Sequence, residues 1–277
     1  MTRSVRRTHR IPRTARVAGA GAAALLALSA CSSSDADTGS DSAGASSSSS
    51  AKLSGQVTVF AAASLKESFT TLGETFEKQH PGTEVTFNFA GSDTLAASIT
   101  GGAPADVFAS ASPKTMATVT DAGAAAGTPA TFVRNRLEIA TLPGNPEHIS
   151  SLQDLTGSGL KVVLCDRTVP CGAAAQKALD AGGLDLTPVS YEQDVKAALT
   201  KVELKEADAA VVYKTDVKAA GGKVTGVDFP ESAKAVNDYP ITLLKDAPNA
   251  DAARAFVELV KSAEGQRVLT GAGFRTP

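Results

Sequence analysis

From residue 55 onward the chain alternates short apolar runs with stretches whose apolar residues recur every three or four positions. Val57 to Ala62 reads as a strand, and residues 65 to 79 as an amphipathic helix with Leu65, Phe69, Leu72 and Phe76 on one face. Val85, Phe87 and Phe89 alternate with polar residues, the period of a half-buried strand, and Leu95 and Ile99 open a short helix. Asp106 to Ala109 is a third strand segment; Arg136 to Thr141, Lys161 to Cys165 and Ala209 to Tyr213 add three more. Helices are predicted at 171 to 181, stopped by Gly182-Gly183, and at 193 to 205, with Val195, Ala198, Leu199 and Val202 on one side. The tail from Asp251 to Leu269 reads as one helix with Phe256, Val260 and Ala263 aligned. This alternation predicts an α/β fold with parallel sheets covered by helices, and such sheets bind their ligands beyond the carboxyl ends of the strands.

The first fifty residues break the pattern. Six arginines and no acid precede an apolar run from Val17 to Leu28, which ends in Leu28-Ser29-Ala30-Cys31. The run is too short to span a bilayer, and small residues before Cys31 suit a cleavage site, so residues 1–30 read as an export signal. The segment resembles the lipobox of bacterial lipoproteins. That resemblance implies that Cys31 becomes the mature N-terminus and carries lipid, with more than one acyl chain giving stable anchoring. Residues 31–52 are mostly Ser, Ala, Asp and Gly without periodicity, too polar to bury a core. A tether of about 20 such residues reaches roughly 25 Å. It implies a partner in the same membrane.

The remaining stretch, about 225 residues, suits one large domain or two lobes. Without residues 1–30 the chain keeps 21 basic side chains against 29 acidic ones, a net charge of −8. This argues against nucleic acid or anionic lipid as partners. The chain has no tryptophan and is 5% aromatic, which disfavours a cleft that stacks sugars or bases. Small polar ligands fit better. Beyond Cys31 only Cys165 and Cys171 remain, and an exported protein meets oxidising conditions, so a disulfide between them is expected. Its short loop gives a stabilisation of about 2 kcal/mol. Five intervening residues lie outside the usual spacing of zinc ligands.

Candidate chemistry begins at two similar corners. Val59-Phe60-Ala61-Ala62-Ala63-Ser64-Leu65 and Phe87-Asn88-Phe89-Ala90-Gly91-Ser92 each run from strand pattern through small residues to a serine and then a helical pattern. A serine there sits beside unpaired helix N–H groups, where an anion is well held. The plainer alternative is helix capping: Ser64 with Glu67 matches a capping box, and Ser92 is a turn serine after Gly91. Cys171, after Pro170, offers either an exposed amide or a cross-linked loop at a helix start. Val195 either offers an amide or packs, and Tyr213 either turns its phenol into a cleft or satisfies it within the core. Catalysis has little support: His80 and His148 are the only histidines beyond residue 30, no Gly-x-Ser-x-Gly elbow occurs, and no Walker-type loop is present.

Five segments together resemble the periplasmic molybdate-binding proteins of ABC importers. They are residues 57 to 65, Phe-Ala-Gly-Ser-Asp-Thr-Leu at 89 to 95, Gly-Ala-Pro-Ala-Asp-Val-Phe at 102 to 108, Glu-Gln-Asp-Val-Lys-Ala-Ala-Leu at 192 to 199, and Val-Val-Tyr at 211 to 213. The likeness spans about residues 55 to 275, in the family's order. It implies a two-lobed periplasmic-binding-protein fold of type II with two crossing hinge segments. Lobe one would comprise 53–134 plus 236–277 and lobe two 135–235, with crossings near Asn135 and Tyr239. It also implies that Ser64 and Ser92 supply hydroxyls and amides from one lobe, Cys171 and Val195 amides from the other, and Tyr213 a phenolic donor. Cys171 departs from the family, which carries a small residue such as alanine there. On this reading the chain is a monomeric binder, not an enzyme, with no cofactor and no direct protein–metal ligands. It would capture molybdate, and tungstate with it, for an ABC permease and its ATPase, from the outer face of the bacterial cytoplasmic membrane. The alternatives are a binder of another tetrahedral oxyanion such as sulfate and, more remotely, an exported serine hydrolase. A purely structural lipoprotein is a third.

Overall fold

A computed structural model describes residues 52–277. The export signal, Cys31 and the tether up to residue 51 lie outside the described residues. Strand β1 (Gly55–Ala62) leads through a single 3₁₀ turn, Ala63–Leu65, into helix α1 (Lys66–Gln79). Then follow β2 (Thr83–Ala90), α2 (Ser92–Thr100), β3 (Val107–Ala109), α3 (Pro113–Asp121) and β4 (Ala130–Asn135). The chain crosses to a second sheet with β5 (Leu137–Thr141), β6 (Val162–Cys165), α4 (Pro170–Gly182), β7 (Ser190–Glu192), α5 (Val195–Glu203), β8 (Ala209–Tyr213), α6 (Lys214–Ala220) and β9 (Thr225–Val227). It returns through β10 (Asn237–Leu243) and closes with α7 (Ala250–Lys261) and α8 (Ala263–Gly271).

Two five-stranded sheets result, in the orders β2-β1-β3-β10-β4 and β7-β6-β8-β5-β9. In the first, β1 runs parallel to β2 and β3, while β10 is antiparallel to β3 and β4. In the second, β6 is parallel to β7 and β8, while β5 is antiparallel to β8 and β9. Each sheet is mixed but mainly parallel in direction: four strands point one way, and a single strand, β10 or β5, opposes them. The antiparallel pairs belong to strands flanking the crossings: the chain leaves the first sheet through β4 and re-enters it through β10, so these neighbours must point in opposite directions.

The apolar face of α1 was legible, and it closes over a core in which Phe69 and Phe256 lie 6.0 Å apart, edge to face, with Phe76 also against Phe256. Phe69, Phe76 and Phe256 are fully buried, each stabilising by roughly 1.5–3 kcal/mol. The second sheet's core is built instead from small and β-branched residues, among them Ala209, Ala210, Val211 and Val212 on β8, which alternate between the sheet's two faces, and Ala174, Ala175 and Ala178 on α4. Helix α4 ends as the glycine pair predicts, with Gly183 in the left-handed region at φ 63°. The tail helix is in fact two: Ser262 leaves helical geometry and its hydroxyl accepts from the Gly265 N–H, capping α8. No helix among the described residues is long and apolar enough to cross a membrane.

Candidate functional site

Three helix N-termini and the 3₁₀ turn after β1 converge between the sheets. The loop ends around them line one small cavity of about 10 Å³, roughly the room of a single water molecule. Its walls come from Ala62–Ser64, Ala90–Ser92 and Ala111 on the first lobe, and from Val169–Cys171, Asp194, Val195 and Tyr213 on the second. All five residues singled out in the sequence, Ser64, Ser92, Cys171, Val195 and Tyr213, therefore face one space. All five are buried.

The local folding explains what each can offer. Ser64 lies inside the 3₁₀ turn, so Lys66 rather than Leu65 begins α1, and no side chain caps that helix. Its hydroxyl is instead 2.9 Å from the Tyr239 hydroxyl, and Glu67, the would-be capping-box partner, accepts a hydrogen bond from the Lys196 ammonium. Ser92 is the first residue of α2, with Gly91 at the cap, and its Oγ accepts from the Ala111 N–H at 3.0 Å. Neither serine caps its own helix. Cys171 is the second residue of α4, behind Pro170, and Val195 the first of α5, so both amides fall among the leading N–H groups that have no intrahelical acceptor. Asp194 caps α5 by accepting from Lys196 and Ala197, which leaves the Val195 amide outside its reach. Tyr213 accepts at its hydroxyl from Asn237 Nδ2, at 2.9 Å.

Cys165 and Cys171 are joined by a disulfide, with 5.8 Å between their α-carbons. The loop it closes lies on the first turn of α4, where Gly172 meets the Asp166 carbonyl so closely that no side chain fits. The disulfide and this contact fix the entry angle of α4 and hence the direction of its amides.

The electrostatics are those of a neutral cage. No lysine, arginine or histidine lines the cavity, and its one carboxylate, Asp194, is occupied in capping. Each helix N-terminus contributes about +0.5 elementary charge, so an anion is opposed without a cation. Just outside, Lys196 lies 2.9 Å from Glu67 across the cleft and 3.1 Å from the fully buried Asp216, close enough for attraction but not aligned for a hydrogen bond to that oxygen. Burial pushes the Asp216 carboxyl up to about 6, against the pull of Lys196. Burial likewise raises the Tyr213 and Tyr239 phenols, which stay protonated. Among the described residues no cluster of three or more His, Cys, Asp or Glu side chains is placed to hold a metal ion.

The profile of the family described as bacterial extracellular solute-binding protein matches residues 57–275. The chain belongs to that family. This makes it an exported solute-binding protein, a transport component rather than an enzyme. Within the family it is 47% identical over 221 residues to the molybdate-binding protein ModA of Mycobacterium tuberculosis H37Rv, covering 80% of this chain and 85% of that one. The substrate-binding domain of a putative molybdenum ABC transporter from Clostridium difficile is 28% identical, with a TM-score of 0.60 over 81% of this chain and all of that domain. The periplasmic molybdate-binding protein of Azotobacter vinelandii shares the fold, with a TM-score of 0.71 at 21% identity over 80% of this chain and 99% of its own.

Several residues around the cavity were given no part in the site by the sequence, although Asn135 and Tyr239 were placed at the crossings. Asn237, Tyr239 and Asn135 sit on the crossing strands, where Asn135, the last residue of β4, donates to Thr215 Oγ1 at 2.8 Å and lies 3.5 Å from the Tyr239 hydroxyl. Gly91 is equally telling. A Cβ there would lie 2.5 Å from the Gln193 carbonyl oxygen of the opposite lobe and 3.3 Å from Val169. Its φ of −57° suits any residue, so the glycine answers to close approach rather than to backbone conformation.

Proposed function

We propose that this chain captures molybdate, and tungstate with it, in the cavity between its lobes and delivers it to the permease and ATPase of an ABC importer. Ser64, Ser92 and Tyr213 would supply hydroxyl donors, and Ser64, Ser92, Cys171 and Val195 main-chain amides. The lobes would be residues 53–134 plus 236–277 and residues 135–235, closing on a hinge at the crossing strands. A lipid on Cys31 would hold the monomer at the outer face of the cytoplasmic membrane.

The observation that carries this reading is the convergence of neutral donors on one small pocket without a basic side chain. A tetrahedral dianion without protons needs donors only, and converging N–H and O–H groups supply them. The curated relatives named for molybdate and the structural relative named for a molybdenum ABC transporter support the same ligand. A serine hydrolase would need a histidine against Ser64 or Ser92, and none lines the cavity among the described residues.

Calorimetric titration of the exported, full-length chain with molybdate, tungstate and sulfate tests the assignment. Molybdate and tungstate should bind at one site per chain, with sulfate far weaker. Sulfate binding as tightly as molybdate would transfer the assignment to a general tetrahedral oxyanion.

A further inference from the structure

Resting on the oxyanion-cage reading, we propose that Asn237 is a positioning residue, which commits the Tyr213 hydroxyl proton to the ligand by filling that oxygen's acceptor site. Asn237 stands at the start of β10, on the returning crossing strand, and is 9% exposed. Its Nδ2 lies 2.8 Å from the Ala111 carbonyl, 2.9 Å from the Tyr213 hydroxyl and 3.5 Å from the Pro170 carbonyl. Two of these three neighbours are carbonyl oxygens, which only accept, so the amide face turned toward them must be the NH₂. Its two protons then go to the Ala111 carbonyl and to Tyr213.

A phenol has one proton. With Asn237 donating to it, Tyr213 keeps one donor proton, which the neighbouring Tyr239 hydroxyl can also receive and which a ligand must draw to itself. The cavity it lines is where that proton can go. Ser92 is set the same way from the opposite lobe, since its oxygen already accepts from the Ala111 N–H. Ala111 thus joins the two: its carbonyl accepts from Asn237, and its N–H donates to Ser92. The consequence is selectivity by proton count. A hydroxyl free to rotate serves either as donor or as acceptor, and so tolerates an anion that carries its own proton. A hydroxyl held as a donor turns that proton against another donor, which leaves both unpaired.

The test is a double-mutant cycle on the full-length chain, with Asn237→Ala, Tyr213→Phe and the pair, titrated with molybdate. Asn237→Ala should weaken binding about 10- to 100-fold, Tyr213→Phe by a similar factor, and the pair no more than either alone. In competition, inorganic phosphate, which carries a proton near neutral pH, should lose less affinity for Asn237→Ala than molybdate does. Losses that multiply in the pair would show that Asn237 acts on the fold and not through the Tyr213 hydroxyl, and would overturn the proposal. Asn237→Ser, which restores a donor in a smaller side chain, should bind molybdate better than Asn237→Ala; equal binding also counts against it. Ligand-free melting of each variant identifies any that fails to fold, in which case Asn237→Ser takes its place in the cycle. Failure of the unmodified chain to bind molybdate would instead remove the cage reading itself, and this inference with it.

Discussion

Lobe closure can be tested at one atom. Gly91→Ala adds a methyl group at the cap of α2, and in the closed arrangement that carbon meets the Gln193 carbonyl oxygen at 2.5 Å. The obstacle is backbone of the facing lobe, which cannot swing aside as a side chain would. Asp93 Oδ1, at 2.7 Å, belongs to the same helix as the new methyl and is the end of a movable side chain. Relieving the backbone contact requires the lobes to separate by several tenths of an ångström, a cost of about 1–3 kcal/mol for an overpacked contact. Because the cage draws donors from both lobes, that cost appears in binding as a loss of roughly 5- to 150-fold for molybdate. The ligand-free fold should be nearly indifferent: φ at residue 91 suits alanine, and the smaller conformational freedom of the unfolded chain offsets a weaker cap. Calorimetry with molybdate and ligand-free thermal melting separate the two effects. Gly222→Ala is the control, since nothing lies within 4 Å of its added carbon. If Gly91→Ala bound molybdate as tightly as Gly222→Ala, the lobes would not need the observed closeness to hold the ligand, and the cavity could not be the closed chamber.

Ser64→Ala and Ser92→Ala should each weaken molybdate binding by about 1.5–3 kcal/mol, the range for a hydrogen bond to a charged group; calorimetry that finds both unchanged would leave the serines with scaffold roles only. Replacing Cys165 and Cys171 together by alanine should lower the melting temperature by about 4–8 °C, as the loss of about 2 kcal/mol implies for a domain of this size, and thiol labelling of the native unreduced chain should find neither sulfur free. Asp216 gives a pH signature. Its folded carboxyl titrates at about 6 against an unfolded value of about 3.9, so the folded state holds the extra proton between these values and stability falls as pH rises through that window. The fall amounts to about 3 kcal/mol, and Asp216→Asn should remove it; parallel pH–stability curves for the two proteins would contradict the burial argument.

What the sequence disclosed and what it hid divide along a physical line. Elements with a dominant apolar face, such as α1 and α5, were legible because burial alone positions Leu72 and Phe76, or Ala198 and Val202. The segments that carry the anion corners were legible because a strand, small residues and a helix start in sequence are also neighbours in space. β10 was not. Asn-Asp-Tyr-Pro-Ile-Thr-Leu lacks clean alternation, and its proline would ordinarily argue against a central strand. The structure admits Pro240 because the pairing with β4 shifts register between Tyr239 and Pro240. The capping box at Ser64 misled for a related reason: Ser64 bonds a tyrosine 175 positions away, and no window along the chain contains both.

That hidden strand matters more to the chemistry than its pattern suggests. Two of its residues touch the donors: Tyr239 pairs with Ser64, and Asn237 donates to Tyr213 and holds the carbonyl of Ala111, whose N–H serves Ser92. A crossing strand is the place in a two-lobed fold where one residue can reach both lobes without moving far as they close. Groups that must hold hydroxyls in one orientation throughout closure are best mounted there, and not on helices that travel with either lobe. The donors lie in recurring corners that local sequence can show, while the groups that fix the direction of their protons lie where only the assembled chain brings them together.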